Sequence, residues 1–284
     1  MQDPIVKKKA VLAFLAQQPY TTTDVQYGMA ENTPLIATIY SPKTKPAQPK
    51  PAVVYIHGGG FTGGARDHFE STAAYLTNQG YVGVCISYRL APVDKFPKQI
   101  QDCKCAVRWT RANAKEWNID PERIAVCGSS AGGNLAALVA YAHGVKEFED
   151  QGGNPGVSDK VQAAALFCGI YDFMPRTIPF GVLDAVKKNY LGYKFEEKQK
   201  YFELASPVNY VNKTSPPSIL FHGDNDSTVN VKHSHLLHKT LDNFGVYNEL
   251  IIAEGEGHKA YDFLMPHCLI AMKQMEAFLL KIFK

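Results

Sequence analysis

Short apolar, β-branched runs alternate along this chain with longer stretches whose apolar positions recur at helical spacing. Eight runs read as strands, at residues 22–27, 35–40, 52–56, 81–87, 123–127, 161–168, 218–222 and 247–253. Residues 35–40 alternate polar and apolar positions, as an outer antiparallel strand would. By contrast 53–56 and 125–127 are continuous apolar runs, as strands covered on both faces would be. Helical patterns fill 66–79, 98–117, 131–142, 231–244 and 260–282, with Gly80 and Gly245 as C-terminal stops. Strand and helix alternate from residue 52 onward, which predicts an α/β fold with a mostly parallel, doubly wound sheet. The first two strands, with no helix between them, form an antiparallel edge.

Two segments break the rhythm. Residues 146–160 are polar and carry Gly152, Gly153, Pro155 and Gly156, and so read as a loop. Residues 171–217 exceed the usual connection between strands and read as a partly helical, functional insertion, a small cap. There is no internal repeat, and the chain 1–284 is read as one domain. Lys7, Lys8 and Lys9 precede only seven apolar residues with no small-x-small site after them. That stretch is expected to be a short amphipathic helix rather than a secretory signal.

Composition narrows the function classes. With 45% hydrophobic residues in 284, there is ample material for a large core. A net charge of +3 is too small for a nucleic-acid footprint. No stretch approaches the ~20 apolar residues of a membrane span. The six cysteines fall in apolar segments, so they are expected to be reduced and structural, which leans toward the cytoplasm.

The chemistry is carried by motifs at strand ends. Gly128-Ser129-Ser130-Ala131-Gly132 follows a strand and opens a helix, the context a G-x-S-x-G nucleophile turn requires. Gly128 and Gly132 are expected to be small because strand and helix nearly touch there. His57-Gly58-Gly59-Gly60-Phe61 follows another strand, and its glycines can aim backbone amides inward. With the amide of Ala131, those of Gly59 and Gly60 would hold the oxyanion of an acyl-transfer intermediate. A phosphate loop is disfavoured because no Lys-Ser/Thr pair follows the glycines. His57 is read as structural.

A serine nucleophile needs a base and an acid to orient it. Asp226 lies 96 residues after Ser130, and His258 follows 32 later, both just past strand ends. Asp226 is preferred to Asp224, which would brace the loop. His233, His235 and His238 read as a solvated helix face, and no H-E-x-x-H or paired-cysteine zinc spacing appears. No metal and no cofactor are called for. An unremarkable His258 would switch activity on around pH ~6–7. Arg89 is expected to pair with Asp102.

With these motifs on the page, the chain resembles the α/β-hydrolase esterases from about Asp24 onward. The matching pieces include the His57 and Ser130 motifs, Ser87-Tyr88-Arg89-Leu90-Ala91-Pro92, Asn118-Ile119-Asp120-Pro121, Ala205-Ser206-Pro207-Val208 and the Asp226 and His258 motifs. The similarity is strongest to the bifunctional feruloyl/acetyl-xylan esterase-like group, and next to the hormone-sensitive-lipase-like family. Ser129 stands where the latter usually has Asp, which favours the smaller group and an open site. The resemblance implies an α/β-hydrolase fold of about eight strands, a triad of Ser130, Asp226 and His258, and oxyanion donors at Gly59, Gly60 and Ala131. It also implies a serine carboxylesterase acting on a small-molecule ester of a short-chain or aromatic acid, with acetyl or feruloyl groups on carbohydrates as candidates. Substrate choice is expected to come from the insertion and Phe61; Tyr171, Phe173, Phe180, Tyr190 and Tyr193 either line an acyl or aromatic pocket or pack the insertion on the sheet. An arylformamidase with the same triad and a non-catalytic binding protein are the rival readings.

Overall fold

A computed structural model of the chain describes residues 20–149, 152–174, 187–262 and 265–284. The strands are β1 (Tyr20–Ala30), β2 (Thr33–Pro42), β3 (Lys50–Ile56), β4 (Val82–Ile86), β5 (Ile119–Ser129), β6 (Ala163–Phe167), β7 (Ser218–Gly223) and β8 (Asn248–Ala253). They form one sheet in the order β1-β2-β4-β3-β5-β6-β7-β8. β1 pairs antiparallel with β2, and β2 with β4; every other pairing is parallel. This is the expected architecture, edge included. The main helices are α1 (Glu70–Asn78), α2 (Lys98–Ala112), α3 (Ala131–Tyr141), α4 (Gln199–Leu204), α5 (Lys232–Asn243) and α6 (Pro266–Ile282).

The continuous apolar runs are explained by cores on both faces. Val54, Ile56, Val84, Val126, Leu166 and Leu220 join one core with Val107 of α2, Leu138 of α3 and Leu241 of α5. Their chain neighbours Val53, Tyr55, Cys85, Ala125, Cys127 and Phe221 join a second core with Leu76 of α1 and Met275 and Phe278 of α6. Successive strand residues point to opposite faces, so one apolar run feeds two layers. Each fully buried Val, Leu or Ile contributes about 1.5–3 kcal/mol.

Helix bounds differ from the sequence expectation in three places, the first being 66–79, which opens as a 3-10 turn (Arg66–Phe69) before α1. The pattern 98–117 breaks at Asn113, and a further turn, Ala114–Trp117, ends at Asn118 in the left-handed region at φ 54°. Asn118 tolerates that conformation and donates its side-chain amide to the carbonyls of Pro46 and Gln48. The last helix starts at Pro266 rather than residue 260, because proline suits a first turn; residues 259–262 are turn and bend, beside His258. In the insertion, residues 187–217 hold a π-helical turn (Lys187–Leu191), α4 and a 3-10 turn (Pro207–Tyr210), so it is partly helical as expected. The helix expected near Lys7–Lys9 and the candidate pocket residue Phe180 lie outside the described residues.

All six cysteines are free and buried. Arg89 and Asp102 do pair, through Nη2–Oδ1 at 2.7 Å, with the Arg89 backbone amide donating to Oδ2 at 2.8 Å. His233 is not part of a solvated face: it is buried, and its Nδ1 accepts the Tyr171 amide at 3.3 Å. Burial pushes its imidazole down to about 4. Among the described residues no helix is long and apolar enough to cross a membrane.

Candidate active site

The β5–α3 turn forces Ser130 into a strained backbone, φ 57° and ψ −118°. A non-glycine residue there costs on the order of 1–3 kcal/mol and persists only where its surroundings fix it. The fixing contacts are clear. The Ser130 amide donates to the Phe167 carbonyl at 2.8 Å, and the Asn134 amide donates to the Ser130 carbonyl at 3.1 Å. A Cβ on Gly128 would collide with the Gly132 carbonyl, and one on Gly132 with the carbonyls of Ile56 and His57. Strand and helix therefore do touch, and the elbow tolerates only glycine at both positions. Asn134 ties the turn to the insertion by donating to the carbonyls of Ile170 (2.7 Å) and Ala205 (3.0 Å).

The three residues expected to form a triad meet at the carboxyl edge of the sheet. Ser130 Oγ lies 2.9 Å from His258 Nε2, and His258 Nδ1 lies 2.6 Å from Asp226 Oδ2. Asp226 Oδ1 accepts the amides of Thr228 and Val229, each at 2.8 Å. Asp224 instead accepts the Gly255 amide at 2.7 Å, the bracing role expected of it. Burial raises the Asp226 carboxyl, but hydrogen bonds from His222, His258 and the Val229 amide outweigh it and hold it well below the usual carboxylate range. For His258 burial pushes down, while the Asp226 hydrogen bond and the Cys168 contact raise it to about 10. Its proton is held beyond the pH ~6–7 of an unremarkable imidazole.

His222 is the residue that sequence reasoning passed over. Its Nε2 faces two acceptors, Asp226 Oδ2 (3.1 Å) and the Val229 carbonyl (2.8 Å), so that nitrogen donates; Nδ1 meets Ser234 Oγ at 2.7 Å. The signal was a histidine in the last turn of sheet before the Gly-x-x-Asp loop, four residues ahead of Asp226.

The glycine loop lies beside this relay. Gly59 (φ 118°) and Gly60 (φ 63°) both use backbone closed to most side chains. The amides of Thr62 and Gly63 close the turn onto the Gly59 carbonyl. His57 braces the loop: its ring stacks on Tyr88 at 4.2 Å, Nδ1 sits 2.8 Å from the Gly58 carbonyl, and burial pushes it down to about 4. Ala131 opens α3, where a helix leaves its first amides without internal partners and carries positive potential. Gly58, Gly59, Gly60, Ser130, Ala131 and His258 border one cleft of about 380 Å³.

Of the pocket candidates, Phe61 borders this cleft with Ile170, Thr228 and Val229. Tyr171 and Phe173 do not border it, and like Phe61 they are fully buried and belong to the core. Tyr190 is core as well, stacked on Phe61 at 3.6 Å, while Tyr193 is 38% exposed. The physical reason is that the insertion needs its own aromatic core to rest on the sheet. A second cavity, of about 280 Å³, also borders His258, together with Ser129, Phe167, Cys168, Tyr261 and Cys268.

The chain is similar to known esterases. A family model described as BD-FAE matches residues 37–241. Esterase LipQ of Mycobacterium tuberculosis is 27% identical over 85% of this chain and 57% of its own. Esterase LipC of the same organism is 30% identical over 69% of this chain and 49% of its own. The chain thus spans about half the length of the curated relatives it matches. Among solved structures, a thermophilic esterase from Thermogutta terrifontis (Est2) with bound propionate superposes at TM-score 0.80, with 26% identity over 92% of this chain and 94% of that one. Est2 is also solved with butyrate and phosphonylated by sarin.

Proposed function

The chain belongs to the BD-FAE family, and from that premise we propose that it is a serine carboxylesterase working through an acyl-enzyme on Ser130. The observation that carries this reading is the unbroken relay from Ser130 Oγ through His258 to Asp226, opening on a cleft bordered by the glycine loop. His258 Nε2, once free of its proton, takes the Ser130 hydroxyl proton as Oγ attacks the ester carbonyl. Asp226 steadies the imidazolium through Nδ1. The carbonyl oxygen becomes an oxyanion held by the amides of Gly59, Gly60 and Ala131, a kind of donor whose loss costs roughly 10²–10³ in rate. His258 then protonates the departing alcohol, and a water molecule repeats the cycle to release the acid. No step requires a cofactor.

The acyl group is short-chain or a small aromatic acid. A cleft of about 380 Å³ walled by Phe61, Ile170 and Val229 fits a compact apolar group, and the related Est2 holds propionate and butyrate. Acetyl and feruloyl esters of carbohydrates are the natural substrates this favours.

A fluorophosphonate probe is expected to label the protein at Ser130 and to leave Ser130→Ala unlabelled. That variant is expected to fold normally and to lose about 10⁴–10⁶ in kcat on p-nitrophenyl acetate. Near-normal turnover by Ser130→Ala would remove the nucleophile from this reading. Across an acyl series, turnover is expected to peak at four carbons or fewer among straight chains; best turnover of long-chain triglycerides would refute the acyl assignment.

A further inference from the structure

Cys168 follows β6 in the left-handed region at φ 40°, its amide donating to the Phe221 carbonyl at 2.8 Å. That backbone delivers its thiol to an unusual place. Sγ lies 3.7 Å from Ser129 Oγ and 3.7 Å from the His258 carbonyl, and it borders the second cavity together with His258. One ligand atom each from Cys168, Asp226 and His258 fall within 4.8 Å of one another. In a tetrahedral zinc site with bonds of about 2.0–2.3 Å, ligand atoms stand roughly 3.3–3.7 Å apart. Closing separations of up to 4.8 Å by at most roughly 1.1–1.5 Å and opening the 2.6 Å Asp226–His258 contact by roughly 0.7–1.1 Å reaches that shape.

We propose that Cys168, His258 and Asp226 form an inhibitory site for a thiophilic divalent cation, Zn²⁺ being the representative, entered from the cavity that Cys168 and His258 border. The donor set of one sulfur, one imidazole nitrogen and one carboxylate oxygen suits zinc, and a cavity water completes four-coordination. Binding replaces two protons, the thiol proton of Cys168 and the Nδ1 proton of His258, both released to solvent. Asp226 Oδ2 and His258 Nδ1 then hold the metal instead of each other. The imidazole is fixed away from its role as base, which is where this inference rests on the esterase reading; the binding itself does not.

Binding is therefore measured first on Ser130→Ala, where hydrolysis plays no part. Calorimetry with Zn²⁺ is expected to give one site per chain. Adding Cys168→Ala is expected to weaken it by more than the ~10–100-fold that follows loss of a mere neighbour of a ligand. Co²⁺ in place of Zn²⁺ is expected to give a thiolate-to-cobalt charge-transfer band in the near ultraviolet. The band should survive Cys268→Ala, which alters the other thiol of the cavity, and vanish in Cys168→Ala. In the active chain, Zn²⁺ should abolish p-nitrophenyl acetate hydrolysis, a chelator should restore it, and Cys168→Ala should hydrolyse the ester in the presence of Zn²⁺. No 1:1 binding, no thiolate band in the wild type, or equal affinity in Cys168→Ala would each overturn the site. Should Cys168→Ala fold poorly, the wild-type cobalt spectrum and its response to Cys268→Ala decide the matter. A failed esterase reading would leave the calorimetry and the spectrum intact, so the two failures are distinguishable.

Discussion

Asp102 and Asp226 are both carboxylates with fully buried side chains, and the protein uses them in opposite ways. Asp102 receives the Arg89 backbone amide and a bidentate guanidinium, a partner that stays charged at any working pH. Asp226 has one oxygen pinned by two backbone amides and turns the other toward two imidazoles, one of which reaches the cleft. The difference teaches that burial alone does not make a carboxylate functional. A permanently charged partner makes it a brace, and in the proposed mechanism a partner able to surrender its proton makes it half of a base.

The contrast is open to attack from both sides. Asp226→Asn is expected to lower kcat by roughly 10⁴, about 5.4 kcal/mol of transition-state stabilisation, with the fold retained. A loss under tenfold, measured with p-nitrophenyl acetate, would erase the distinction. Asp102→Ala leaves the Arg89 guanidinium buried without its carboxylate, and is expected to cost about 3–5 kcal/mol in urea unfolding. The folded fraction should keep kcat within a few-fold, and a kcat loss matching that of Asp226→Asn would make Asp102 part of the chemistry. The smallest effect is a shift of pH dependence. Because His258 is raised, its base form appears later, so kcat/KM should climb with pH along a limb centred above ~6.5. The same shift means His258 contributes stability below ~6.5 that is lost as pH rises toward about 10. A limb at or below the ordinary imidazole value would show that Asp226 does not hold the proton.

Much of this was legible in the sequence, and the reason is physical. Strands covered on both faces must be continuous apolar runs, so the central strands β3 and β5 stood out, the outer β2 showed itself by alternation, and chemistry placed at strand ends marked itself with Gly128, Gly132 and the Gly58–Gly60 run. Long-range burial left no such mark. Tyr171, Phe173 and Tyr190 have a composition equally fit for a pocket wall or a core, and only their complete burial in the folded chain decides between them. His233 sat among other histidines on a helix, and its burial depends on the backbone of Tyr171, 62 residues away. His222 was visible as a residue but not as a donor, because the turn that swings Asp226 back onto it is a tertiary fact.

The Phe61–Tyr190 stack reaches beyond packing. Phe61 borders the cleft while resting on a ring supplied by the insertion, so the cleft's dimensions depend partly on Tyr190, which does not border it. Under the proposed esterase reading, drift at that tyrosine would widen or narrow the range of acids accepted while Ser130, His258 and Asp226 stay where they are. Diversification of selectivity in such a scaffold needs no tampering with the catalyst.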